Sequence, residues 1–130
     1  MHKMINTEGA PEAFGPYSHA VLAGDFLYTA GQIPVDPATG ELAGEDFRTQ
    51  MHQVMSNLGN VLAEAHADFS QVIKATVYLK DLGDFAAMNT IYAEYMGENR
   101  PARACVEVAR LPKNCRVEID LIAHIDHSHY

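Results

Sequence analysis

Residues 101–125 read PARACVEVARLPKNCRVEIDLIAHI, and the periodicity of this stretch decides the fold class. Successive side chains of a strand point to opposite faces. From Pro101 to Val108 that alternation puts Arg103, Cys105 and Glu107 on one face and Ala104, Val106 and Val108 on the other. From Arg116 to Ile125 it sets Val117, Ile119, Leu121 and Ala123 in one apolar row, with Glu118, Asp120, Ile122 and His124 pointing away from it. Two strands are expected, Ala104 to Val108 and Arg116 to Ile125, and the Leu111-to-Cys115 connection is too long to guarantee a tight hairpin between them. Arg103 stands at a strand entrance, and Glu118, a carboxylate leaving a core strand, needs solvent or a partner.

Upstream, Val72 to Leu79 is β-branched and alternating, which predicts a strand. Asp84 is expected to open a helix carrying Phe85, Met88, Ile91, Tyr92 and Tyr95 on one face, with Gly97 closing it. Between Glu45 and His66, Phe47, Met51, Val54, Met55, Leu58, Val61, Leu62 and Ala65 form the stripe of a longer amphipathic helix. Methionines at helical spacing are core filler, so Met51 and Met55 are assigned to the interior, while His52 and His66 fall off the stripe and are read as solvated. Ala20-Val21-Leu22 and Phe26-Leu27-Tyr28-Thr29 flank Gly24-Asp25 as a β-hairpin. Gly31 to Gly40, broken by Pro34 and Pro37, reads as a long ordered loop. The sum is an α/β or α+β sheet with two helices. Two helices cover only one face, yet Val72-Ile73 and Leu121-Ile122 carry apolar residues to both, so the bare face is expected to self-associate.

The composition bounds the rest. A chain of 130 residues and 14.3 kDa has the size of one domain, and 48% hydrophobic with 20% charged residues is ordinary globular usage. Seventeen acidic against nine basic residues give a net charge of −8, which disfavours phosphate backbones and anionic membranes. Arg100, Arg103, Arg110, Lys113 and Arg116 nevertheless place five of the nine basic residues in one stretch, readable as a local anion site or as charge balance on two strands. Cys105 and Cys115, with no secretory apolar run at Met1 to Asn6, are expected to be free thiols in a reduced, cytoplasmic setting. No stretch approaches the roughly 18 apolar residues of a membrane span. The histidines at 124, 127 and 129 suggest a metal site, but a terminus rarely converges four ligands, so 126–130 is read as a short tail on a single domain spanning 1–125.

The segment PARACVEVARLPKNCRVEI resembles the signature of the Rid (YjgF) family of reactive-intermediate deaminases. Gly15-Pro16-Tyr17-Ser18, Gly31-Gln32-Ile33-Pro34 and Tyr78-Leu79-Lys80-Asp81-Leu82 with Phe85 and Asn89 are similar to that family too, so the resemblance runs from about Thr7 to Ile125 and is strongest to the RidA branch. It implies a chorismate-mutase-like α+β fold, a mixed β-sheet with two helices packed on one face, assembled as a homotrimer with its active sites in clefts between subunits. It also implies hydrolysis of 2-imino and enamine acids, such as 2-aminoacrylate and 2-iminobutanoate, to 2-keto acids and ammonia, with no metal and no organic cofactor.

The residue types fit that chemistry. A guanidinium binds a planar carboxylate bidentately, which suits Arg103 as the substrate clamp. A carboxylate such as Glu118, ionised near neutral pH, can orient water and shuttle protons. By resemblance, Tyr17 walls the cleft, the backbones of Gly31 and Cys105 contact the ligand, and Asn89 supports the surrounding loop. Nothing local pairs Cys105 with a histidine, so its thiol is not assigned a nucleophilic role. The chain departs from the pattern at Ala30, where a serine is usual, and at Arg100, where an aromatic residue is common. The first departure predicts altered substrate preference or a modest rate loss.

Three competing expectations remain. Arg103 and Glu118 are also readable as an ion pair within or between subunits. A non-catalytic trimer that binds small carboxylates would bind keto acid without accelerating imine loss. A ribonuclease or translation-inhibitor activity, attributed to some relatives, runs against the net charge of −8 and would show steep salt dependence of RNA binding.

Overall fold

A computed structural model describes residues 2–125, so the expected histidine tail lies outside the described residues. Along the chain the strands are β1 (His2–Ile5), β2 (Ala20–Ala23), β3 (Phe26–Thr29), β4 (Val72–Leu79), β5 (Ala102–Glu107) and β6 (Val117–His124). The helices are α1 (Phe47–Glu64) and α2 (Phe85–Met96). The strands form one mixed sheet in the order β1-β2-β3-β6-β4-β5, with β4 and β5 parallel and every other pair antiparallel.

The fold is therefore α+β. The two strands of the C-terminal stretch both form, and β4 lies between them, so they are not a hairpin of any length. Residues 80–101, which include α2, make the crossover that parallel β4 and β5 require. The β2–β3 hairpin turns through Gly24, whose φ of 59° suits the two-residue turns that match strand twist.

Both helices pack on the same face. The β4 residues Ala75, Val77 and Leu79 and the β6 residues Val117, Ile119, Leu121 and Ala123 are buried beneath them, and every predicted stripe residue of α1 from Phe47 to Leu62 is buried, Met51 and Met55 completely. Asp46 caps α1 by accepting from the Thr49 N–H at 3.0 Å. The start of α2 differs from expectation. Asp84 makes no side-chain cap bond; Asp81 instead accepts from Gly83 N–H at 2.7 Å and caps a tight turn leading into the helix. Phe85, expected on the core face, is 40% exposed because the strand beneath its end of α2 is the sheet edge, β5.

The opposite face has no helix on it. Met4 of β1, Phe26 and Tyr28 of β3 and Val106 of β5 project from it, each at least 39% exposed. Ile73, at a break of register between β4 and β6, is exposed as well. This is the bare apolar face that the strand patterns imply.

β1 was not expected from sequence. Four residues with only Ile5 buried carry almost no alternation, and β1 is held by its ladder to β2.

Candidate functional site

Strand register divides the predicted site residues between the two faces of the sheet. Arg103 and Cys105 pair with Ala75 and Val77, which face the helices. Glu118 pairs with Tyr78 on the bare face. Within one chain the two groups are separated by the sheet itself, so an Arg103–Glu118 ion pair inside the chain is ruled out by geometry.

On the bare side, Phe14, Tyr17, Ala30, Gly31, Ile33, Pro112 and Glu118 line a cleft of about 310 Å³. Backbone bonds between Gln32 and Ile119, 2.9 and 3.2 Å long, lay the 31–35 loop against β6 and bring Gly31 beside the Glu118 carboxylate. A Cβ on Gly31 would overlap Glu118 Oε2 and lie 2.9 Å from its carboxyl carbon, so only glycine leaves the carboxylate where it is. Gly31→Ala is thus expected to fold, to displace Glu118, and to lower any activity that depends on that carboxylate at least tenfold. Kinetics beside a crystal structure of the variant would check both.

Burial, reinforced by the neighbouring Asp120 carboxylate, raises the proton affinity of Glu118 above its ordinary 4.5. Asp120 is held by the Tyr78 hydroxyl, which donates to its Oδ2 at 3.0 Å. Tyr17 lies at the cleft rim with its phenol oxygen accepting from Phe14 N–H at 3.3 Å.

On the helix side, the Arg103 guanidinium carbon stands 5.0 Å from the Tyr92 ring centroid and 5.6 Å from that of Phe85, and Nη1 lies 3.8 Å from Met88 Sδ. Two ring faces fix the cation while none of these contacts is a carboxylate. Asn89 follows Phe85 by four residues and precedes Tyr92 by three, so it lies on the same stripe of α2, half-buried. The Tyr92 hydroxyl is buried with no hydrogen-bond partner among the described residues, a rare condition, beside Arg103. Cys105 lies on the edge strand, where half of the backbone groups have no ladder partner. Burial raises its thiol above the usual value, with Arg103 opposing, and burial pushes Cys115 up to about 11; neither is an activated nucleophile.

The cationic stretch does not act as one patch. Arg100 Nη1 donates to the carbonyls of Gly97 and Asn99 at the end of α2, Arg116 Nε donates to Glu45 O at 2.7 Å, and Lys113 stands 5.4 Å over the Phe14 ring. Among the described residues no cluster of three histidine, cysteine or acidic side chains is placed to hold a metal ion. A wider depression of about 960 Å³ lies beside the N-terminal loop, but its buried His19 is spent on structure, Nε2 donating to Pro11 O at 2.7 Å and Nδ1 accepting from Thr7 N–H at 3.1 Å.

Sequence reasoning missed the amides that hold the cleft wall. Asn57 is buried in α1 and donates to Ile33 O and Val35 O at 3.2 and 3.0 Å, while Gln50 bonds both Gly44 O and Arg116 N–H at 2.8 Å. Two amides seven residues apart beside an apolar stripe were the available signal. Asn57→Leu would strand the Val35 carbonyl, while Ile33 O keeps the Val35 N–H at 2.8 Å, so a loss of about 1–3 kcal/mol in urea unfolding is expected.

A protein-family profile described as Endoribonuclease L-PSP matches residues 7–125. A RutC family protein of Pyrococcus horikoshii is 53% identical over 124 residues, covering 95% of this chain and 98% of its own. A 2-iminobutanoate/2-iminopropanoate deaminase of Bos taurus is 45% identical over 123 residues, covering 95% and 90%. The crystal structure of E. coli TdcF with bound serine superposes with a TM-score of 0.91 at 40% identity, covering 95% of this chain and 99% of that one. The chain belongs to this family, the Rid (YjgF) family that its C-terminal stretch resembles. Among the described residues no helix is long and apolar enough to cross a membrane.

Proposed function

We propose that the protein is a hydrolytic deaminase of 2-imino and enamine acids, working as a homotrimer whose sites form where the Arg103 group of one subunit meets the Glu118 cleft of the next. The observation that carries this reading is the division of the site. A pre-oriented arginine with no carboxylate among its contacts with the described residues and a half-buried carboxylate in a largely apolar cleft lie on opposite faces of one sheet, whose bare face is suited to a second copy. The Bos taurus deaminase supports the reaction, and TdcF with bound serine supports a small amino-acid-like ligand.

In this reading Arg103 grips the substrate carboxylate through two parallel charge-assisted bonds. Tyr17 and the Gly31 backbone wall the other side, Cys105 offers its edge-strand backbone, and Asn89 lies beside the clamp. Glu118 takes a proton from water as the oxygen attacks the imine carbon, and the C=N electron pair moves to nitrogen. That proton passes to the nitrogen, giving a carbinolamine; Glu118 then moves the proton of the new hydroxyl to the same nitrogen, the C–N bond breaks, ammonia leaves and the C=O of the ketone forms. A carboxylate raised by burial is suited to both halves of this exchange. An enamine enters the same sequence after protonation at its terminal carbon.

The test is semicarbazide-trapped formation of 2-keto acid from threonine or serine plus a dehydratase, with and without this protein. Faster keto-acid release supports the deaminase. Saturable 2-ketobutyrate binding without acceleration would instead assign a carboxylate-binding protein. Salt-sensitive RNA binding would favour the activity in the family's name, against the net charge of −8.

A further inference from the structure

Three features of the cleft have no part in the imine chemistry. The first is its lining. Apart from Glu118 and the Tyr17 phenol, the walls are Phe14, Ala30, Gly31, Ile33 and Pro112, without a donor among their side chains. The cleft measures about 310 Å³ in one chain, space that the substrate shares with the Arg103 group of the neighbouring subunit.

The second is Phe14. Its ring is 63% exposed, an unfavourable place for a large apolar group, yet it is held by the Lys113 ammonium 5.4 Å from its centroid. Its backbone N–H is tied to the Tyr17 hydroxyl, so the two aromatic walls are coupled.

The third is the turn that carries Lys113. Lys113 and Asn114 both adopt φ of 55°, a left-handed conformation that non-glycine residues rarely hold. Lys80 Nζ donates to Asn114 Oδ1 at 2.9 Å, and Asn114 N–H and Cys115 N–H close back onto Leu111 O and Pro112 O. The turn is a fixed support, with Pro112 facing the cleft and Lys113 reaching over Phe14.

We propose that Phe14, pinned by Lys113 against the Pro112–Asn114 turn, is the specificity-determining wall of the Glu118 cleft, and that it selects 2-imino acids with branched or thioether side chains over two-carbon and hydroxylated ones. The proposal rests on the deaminase reading for its substrate class. An apolar side chain entering the cleft covers the Phe14 ring and displaces water from Ile33 and Pro112. A hydroxylated chain gives up its water bonds and meets Ala30, whose methyl cannot replace them. Each methylene in a closed apolar pocket is worth at least about tenfold in discrimination, so a partly open one gives several-fold per carbon.

The experiment compares kcat/KM for the imine of leucine with that for 2-iminobutanoate, both made in place by an amino-acid oxidase and trapped with semicarbazide. Binding of 4-methyl-2-oxopentanoate and 2-ketobutyrate is measured beside it by NMR titration, which needs no turnover. Wild type should favour the leucine-derived compound in both. Phe14→Ala should reduce that ratio about tenfold, Lys113→Ala several-fold, and Lys113→Arg, which keeps a cation over the ring, should restore it. A ratio that Phe14→Ala leaves unchanged in both assays overturns the proposal, as does failure of 4-methyl-2-oxopentanoate to bind. Phe14-dependent binding preference without imine hydrolysis would retain the wall and reject the deaminase.

Discussion

Replacing Arg103 with alanine is expected to lower kcat/KM for 2-iminobutanoate about a hundredfold or more, chiefly through KM. A bidentate guanidinium–carboxylate pair comprises two charge-assisted bonds of about 1.5–3 kcal/mol each, and the lower bound of about 3 kcal/mol corresponds to about two powers of ten. Substrate and transition state carry the same carboxylate, so the loss is of uniform binding and falls mainly on KM. Structure makes the prediction sharper. The guanidinium is held between the Phe85 and Tyr92 rings by contacts that involve no carboxylate, so its removal breaks no ion pair with them. Arg103→Lys should recover only part of the loss, because an ammonium keeps the charge and lacks the planar fork. Initial rates of trapped keto-acid formation over a range of substrate concentrations check both variants.

Glu118→Gln should have the opposite signature, a fall in kcat of about 10²–10⁴-fold with KM little changed, since glutamine fills the same volume and cannot exchange the proton. The pH dependence follows from the environment. Burial and Asp120 raise Glu118 above 4.5, so activity should decline on acidification at a pH above the ordinary carboxylate range, and Asp120→Asn should move that limb downward. The same group affects stability. Folded protein binds this proton more tightly than unfolded protein, so stability falls as pH rises from 4.5 through the raised folded value, and above it the cost is fully present. Glu118→Gln is therefore expected to be more resistant to urea than wild type at pH 7, with the difference vanishing below about pH 4. Equal resistance at both pH values would show that Glu118 is not strained by its surroundings.

Much of this was legible where burial imposes a period. The α1 stripe, the limits of β4 and the turn of Glu118 away from the apolar row of β6 each follow from side chains that must face a core or avoid it, whereas the helix-side position of Arg103 runs against the more apolar Ala104–Val106 row of its strand. Resemblance supplied the choice of Tyr17, Gly31, Asn89 and Cys105, which no local pattern selects. What stayed hidden depends on distant neighbours. The insertion of β4 between β5 and β6 is a matter of sheet order, β1 exists through its ladder to β2, and the overlap that requires Gly31 to be glycine involves a residue 87 positions later. The role of Asn57 is hidden for the same reason, because the carbonyls it bonds belong to a loop more than 20 residues away.

In the proposed site one chain supplies the arginine and another the carboxylate. The most direct test mixes Arg103→Ala and Glu118→Gln subunits in equal amounts, reassembles them, and measures trapped 2-keto acid formation against wild type and each variant alone. In a closed ring of three equivalent interfaces, every mixed trimer has one junction where both native residues meet, and about three quarters of random trimers are mixed. Recovery of about one quarter of the wild-type rate from two nearly inactive parents is the predicted result. A wild-type protein that accelerates the reaction, with mixtures no more active than their parents, would contradict a site shared between subunits.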